Sequence, residues 1–141
     1  MRPGINFKCL DTGDGDGFLR YQILFSNGET STSFTFYGYE DVFQEFAVQL
    51  ISFPQTSSQT LTFGVGEDDP KWAYYLQLDV FCYQPNGDSA LRVKCWMNEE
   101  TPYYQRCEFF ILTLPAALNR LGQGLSNWNP QETDLFSWEA E

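Results

Sequence analysis

The sequence predicts an α+β domain: a mainly antiparallel sheet of about six to seven strands, in the order β-β-β-α-β-β-β-β-α, with two helices packed on one face of it. Three observations carry this expectation. Two stretches alternate apolar and polar residues at period two on either side of Asn27-Gly28 and of Asn86-Gly87, the residue pair favoured in tight hairpin turns. Between the hairpins, residues 39–51 switch to the three-to-four-residue spacing of an amphipathic helix.

The elements follow in order. A first strand covers residues 5–10. In the first hairpin, with Asn27-Gly28 as the central pair, Tyr21 meets Phe34 and Leu19 meets Phe36. Arg20, Gln22, Ser31, Ser33 and Thr35 then fall on the opposite, polar face. Val42, Phe43, Phe46, Leu50 and Phe53 form the helical stripe. Glu40, Asp41 and Glu45 sit where the helix dipole is positive, and Pro54 ends the helix. A strand at residues 60–65 leads to the second hairpin, residues 72–83 and 89–98. With Asn86-Gly87 central, Val80 meets Val93, Asp79 meets Lys94 and Phe81 meets Arg92. Tyr74, Leu76, Leu78, Val80, Cys82, Leu91, Val93, Cys95 and Met97 form its core face.

The last strand, residues 105–113, contains the unbroken apolar run Phe109-Phe110-Ile111-Leu112, which predicts a central strand covered on both faces. Pro115 opens a helix with Leu118, Leu121 and Leu125 on one stripe, weakened by Gly122 and Gly124. From about residue 127 an acidic tail carrying Trp128, Phe136 and Trp138 docks in part, its end solvated. Residues 1–141 read as one domain with no repeat or linker. The second face of the 72–98 hairpin, with Tyr75, Phe81, Tyr83 and Trp96, is too aromatic for an ordinary solvated face. Either the C-terminal helix or tail covers it, or it is a recognition surface.

Nineteen Asp and Glu against eight Lys and Arg give a formal charge of -11, with no histidine. That field repels nucleic acid and anionic membranes and attracts a basic partner. Without histidine, a Ser or Cys nucleophile would need a lysine or carboxylate as its base, and only Lys8, Lys71 and Lys94 exist. An enzyme is not expected, and no cofactor is implied. No apolar run resembles a signal peptide or a membrane span, which predicts a cytoplasmic protein. Cys9, Cys82, Cys95 and Cys107 lack CxxC spacing and lie in strands, so reduced core thiols are expected before disulfides or zinc.

Three segments could carry binding. Asp11-Thr12-Gly13 has the letters of an aspartic protease turn, but Asp14 follows and no partner segment exists, so it reads as a plain turn. Asp11, Asp14 and Asp16 offer oxygen ligands along a glycine-rich turn, as a calcium loop does. The closing position of an EF-hand holds Gln22 or Phe25 instead of Glu, so Ca2+ is a secondary expectation. The main candidate is Glu67, Asp68 and Asp69, bracketed by Gly66 and Pro70 and followed by Trp72, a concentrated negative knob beside an aromatic anchor. Glu40 and Asp41 are second choices for the same partner.

The run Tyr37-Gly38-Tyr39-Glu40-Asp41-Val42-Phe43-Gln44-Glu45-Phe46, followed by Gly66-Glu67-Asp68-Asp69 and the 72–98 hairpin, resembles small acidic bacterial cytosolic proteins. This type includes immunity proteins of toxin systems. The resemblance implies a non-enzymatic module, monomer or homodimer, whose acidic surface neutralises a basic toxin. The alternatives are a small-molecule or cation binding module and a homo-oligomeric structural protein.

Overall fold

The computed structural model of the chain describes residues 2–13 and 15–141. Its elements are β1 (Gly4–Asp11), β2 (Phe18–Ser26), β3 (Ser31–Tyr39), α1 (Gln44–Ile51), β4 (Thr60–Gly66), β5 (Tyr74–Cys82), β6 (Ser89–Met97), β7 (Gln105–Thr113), α2 (Pro115–Asn127) and β8 (Leu135–Glu139). The α+β class holds. The single sheet does not: the strands form two antiparallel four-stranded sheets, ordered β3-β2-β1-β8 and β4-β5-β6-β7. The break falls at α1, which intervenes between β3 and β4 so that neither strand pairs with the other. No helix among the described residues is long and apolar enough to cross a membrane.

Both hairpins form, each with its register shifted by two from the expected one. In the first, Asn27 N–H donates to the Thr30 carbonyl at 3.0 Å and Gly28, at φ +96°, occupies the first central position of the turn. A glycine there suits a primed turn as well as one in second place. Tyr21 therefore faces Phe36, not Phe34, and Leu19 faces Gly38. In the second, Gln84 to Gly87 form the loop, so Asp79 faces Arg92 and Val80 faces Leu91, while Lys94 faces Gln77. A shift of two preserves side-chain parity, and every residue stays on its expected face.

One core joins the inner faces of both sheets to the two helices. Phe43, just before α1, is its hub. Its ring lies 5.3 Å from Phe7 and Tyr21 of the first sheet and 5.3 Å from Phe63 of the second. Such ring pairs contribute about 0.5–1.5 kcal/mol each beyond area burial. The helices thus bridge two sheets instead of lying on one. Gly122, read from sequence as a weak point of α2, is where α2 crosses α1. A Cβ there would come within 2.7 Å of the Ala47 carbonyl oxygen and 2.8 Å of the Ile51 nitrogen.

The tail docks further than its charge suggested. Leu135–Glu139 pairs with β1 as a strand, Trp138 and Ala140 are buried, and Trp138 Nε1–H donates to the Ala117 carbonyl at 2.8 Å. This removes the tail from the role of covering the 72–98 hairpin. α2 is equally unavailable, because it packs on α1. Neither covers the outward face of β5 and β6, where Asp79, Ala90 and Trp96 are buried among neighbouring side chains of the sheet itself. β7 is a further correction: it is an edge strand with Phe110 and Leu112 exposed, not a central one.

Candidate functional site

The second sheet is a meander, so its first and third connections emerge at the same end. Residues 67–73 join β4 to β5 and residues 98–104 join β6 to β7. Gly66, at φ +79°, turns the chain out of β4, where a Cβ would collide with the Tyr74 carbonyl. The loops are tied together. Asn98 N–H donates to the Ala73 carbonyl at 3.0 Å, and Asn98 Nδ2 donates to the Trp72 carbonyl at 3.1 Å.

This junction joins the expected acids Glu67, Asp68 and Asp69 to Glu99 and Glu100, with Lys71 the only base in either loop. It also gathers Trp72, Tyr103 and Tyr104, exposed by 47%, 71% and 52%. Asp69 Oδ1 accepts the Lys71 N–H at 2.9 Å and the Asp69 carbonyl accepts the Trp72 N–H at 2.9 Å, so this acid also shapes the turn that presents Trp72. Among the described residues the salt bridges are Arg2–Glu139, Arg92–Asp79 and Arg92–Glu108, and none reaches the loop acids.

The outward face beside the loops is organised in cross-strand rows. Gly66, Tyr75, Trp96 and Arg106 make the row nearest the loops; Gly64, Gln77, Lys94 and Glu108 the next; Thr62, Asp79, Arg92 and Phe110 the third. Asp79 accepts hydrogen bonds from Thr62 Oγ1 at 2.8 Å and Gln77 Nε2 at 2.8 Å, and lies 3.7 Å from Arg92. Arg92 Nε also donates to Glu108 at 3.0 Å. Lys94 and Arg106 lie over the Trp96 ring, 5.3 and 5.2 Å from its centroid, so these cations are held by a π face. Burial, then Asp68 and Asp79, push the Tyr75 hydroxyl above its ordinary pKa, with Arg92 opposing.

The other expected residues lie apart from the loop pair. Glu40 and Asp41 line a recess of about 260 Å³ with Gln44, Trp128, Asn129 and Pro130. They help, after burial and Cys9, to raise the pKa of Tyr21. In the aspartate-rich turn, Asp11 Oδ1 accepts the Gly13 N–H at 2.8 Å and Asp16 Oδ1 the Phe18 N–H at 3.0 Å, so both carboxylates shape backbone. Asp14 lies outside the described residues. Among the described residues no three His, Cys, Asp or Glu side chains are grouped to hold a metal ion.

Glu99, Glu100, Tyr103 and Tyr104 were missed from sequence. The meander would have found them, since it sends alternate connections to one end. No protein-family model matches the chain, and no curated protein matches it in sequence.

Proposed function

We propose that this chain is a non-enzymatic protein-binding module that takes a basic protein partner on the paired loops 67–73 and 98–104. The observation that carries the reading is the junction itself: Glu67, Asp68, Asp69, Glu99 and Glu100 beside exposed Trp72, Tyr103 and Tyr104, tied through Asn98. Unpaired carboxylates steer a cationic surface and raise its association rate by roughly 10- to 1000-fold at low salt. The aromatics supply anchors that outlast screening. A basic toxin held inactive by occupation is the most concrete such partner, in keeping with the resemblance to immunity proteins.

The test is retention of one basic protein by the immobilised chain, followed by reconstitution from purified components. The fourfold variant E67Q/D68N/E99Q/E100Q should associate at least ten times more slowly at low salt, and the difference should vanish at about 1 M salt, where the Debye length is about 3 Å. Equal rates for both proteins at low salt would sink the reading.

A second reading rests on β7. Its open edge, with Phe110 and Leu112 about half exposed and Leu114 equally so just beyond its end, suits pairing between copies of the chain. Light scattering that gives a monomer mass at all salt concentrations rejects it.

A further inference from the structure

Cys95 and Cys107 stand directly opposite each other in the β6–β7 ladder. Of the other two thiols, Cys9 faces Tyr21 and Cys82 faces Ser89, so no other cysteine pair is opposed. Directly opposite residues of antiparallel strands have Cα atoms about 4.5 or 5.5 Å apart, depending on which type of pair they form. Both values lie inside the roughly 4.4–6.8 Å range that a disulfide spans. Cross-strand partners share a face, and both side chains belong to the inner one. Cys95 is buried, whereas Cys107, on the edge strand, is half-buried. Both are free thiols.

We propose that Cys95 and Cys107 form a reversible disulfide under an oxidised small-molecule disulfide such as oxidised glutathione, and that this bond clasps the 98–104 loop. The cross-link closes a ring containing Glu99, Glu100, Tyr103 and Tyr104. In the reduced chain that loop is held by the strand ladder, by Asn98, by the Tyr103 N–H bond to the Glu100 carbonyl and by Arg106 over the Tyr104 ring, with no covalent tie. The bond formation stands by itself; its meaning as control over partner binding rests on the proposed function of the loop.

The exchange balances in two steps. The more accessible Cys107 loses its proton, and its thiolate attacks one sulfur of oxidised glutathione, forming a mixed disulfide and expelling one glutathione thiolate. Cys95 then loses its proton and attacks the Cys107 sulfur, forming the protein disulfide and expelling the second glutathione. Two protein thiols are oxidised and one glutathione disulfide is reduced to two thiols. Burial, reinforced by Cys107 nearby, pushes the Cys95 thiol up to about 12. Its thiolate is scarce at neutral pH, so the second step is slow there and accelerates as pH rises.

The test uses the full chain, equilibrated at pH 8 across a series of reduced-to-oxidised glutathione ratios, acid-quenched, alkylated and mapped by mass spectrometry. Expected are the loss of two alkylation sites, a peptide linking Cys95 to Cys107, and continued alkylation of Cys9 and Cys82. The oxidised form should melt about 5–10 °C higher, and amides of residues 98–104 should exchange several-fold more slowly. Cys107→Ser should abolish both the link and the oxidation-dependent shift. Four alkylatable thiols in the most oxidising buffer, a Cys107–glutathione adduct that never resolves, or a link involving Cys9 or Cys82 would each overturn the proposal. Those outcomes leave the charge-based reading of the loops standing. Conversely, equal association rates for the acid-to-amide variant would remove that reading without touching the disulfide.

Discussion

The two sheets are alike in strand number and inward burial and differ in what they do with their outward faces. The first turns out Ser31, Ser33, Thr35, Gln22, Asn6 and Lys8, with an exposed aromatic cluster of Phe18, Tyr37 and Tyr39 at one end, and acquires its fourth strand from the tail. The second turns out Tyr75, Phe81, Trp96, Phe110 and Leu112 around the Asp79–Arg92–Glu108 network, and crowds acids and aromatics into two loops at one end. Completion of the fold is concentrated in the first sheet. The ion-pair network and the paired acidic loops belong to the second.

That contrast can be broken by substitution. The largest effect should come from the first sheet. Trp138→Ala removes the buried anchor of β8 and its hydrogen bond to the Ala117 carbonyl, at a cost of about 3–5 kcal/mol. Urea unfolding that shows less than about 1 kcal/mol would mean the tail strand is not integral. On the second sheet, Asp79→Ala strips acceptors from Thr62, Gln77 and Arg92 and should cost about 2 kcal/mol. Ser33→Ala on the first sheet should stay within about 0.5 kcal/mol. Equal costs for Asp79→Ala and Ser33→Ala would erase the distinction between the outward faces.

Alkaline pH gives a smaller, signed effect. Tyr21 is fully buried, donates its hydroxyl to the Tyr39 carbonyl at 3.0 Å, and its pKa is raised chiefly by burial. A raised folded-state pKa means that its stabilising contribution is intact below the unfolded value of about 10 and is lost as pH rises above it. Stability should fall by about 1 kcal/mol from this group between pH 9 and 11, and Tyr21→Phe should flatten that part of the profile. The smallest effect belongs to Glu99→Gln with Glu100→Gln. Exposed and without a salt bridge among the described residues, these acids should change unfolding free energy by less than about 0.5 kcal/mol. A larger loss of stability would make them structural.

Particular residues show what the sequence made legible. Inward-facing positions such as Tyr21, Ile23, Leu76 and Val93 were readable because parity at period two decides burial. Register was not, because Gly28 can occupy either central turn position and both choices keep parity. The division into two sheets depends on whether β3 meets β4, and nothing local encodes the angle at which α1 leaves β3. The run Phe109-Phe110-Ile111-Leu112 misled, since an apolar outward face marks either a covered strand or an exposed one. Glu67, Asp68 and Asp69 were readable as a run of acids, whereas Glu99 and Glu100 gained meaning only from the strand order that sets them beside that run.

The pairing of β1 with β8 also dictates a sequence of events in time. Residues 60–113 supply all four strands of the second sheet in consecutive order, so it can assemble through short-range closures while a nascent chain is still being extended. Residues 4–11 must wait for residues 135–139 before their second neighbour exists. During synthesis one edge of β1 therefore stays bare until residues 135–139 have left the ribosome. The first sheet is where a slowed or interrupted synthesis would expose a strand edge to aggregation.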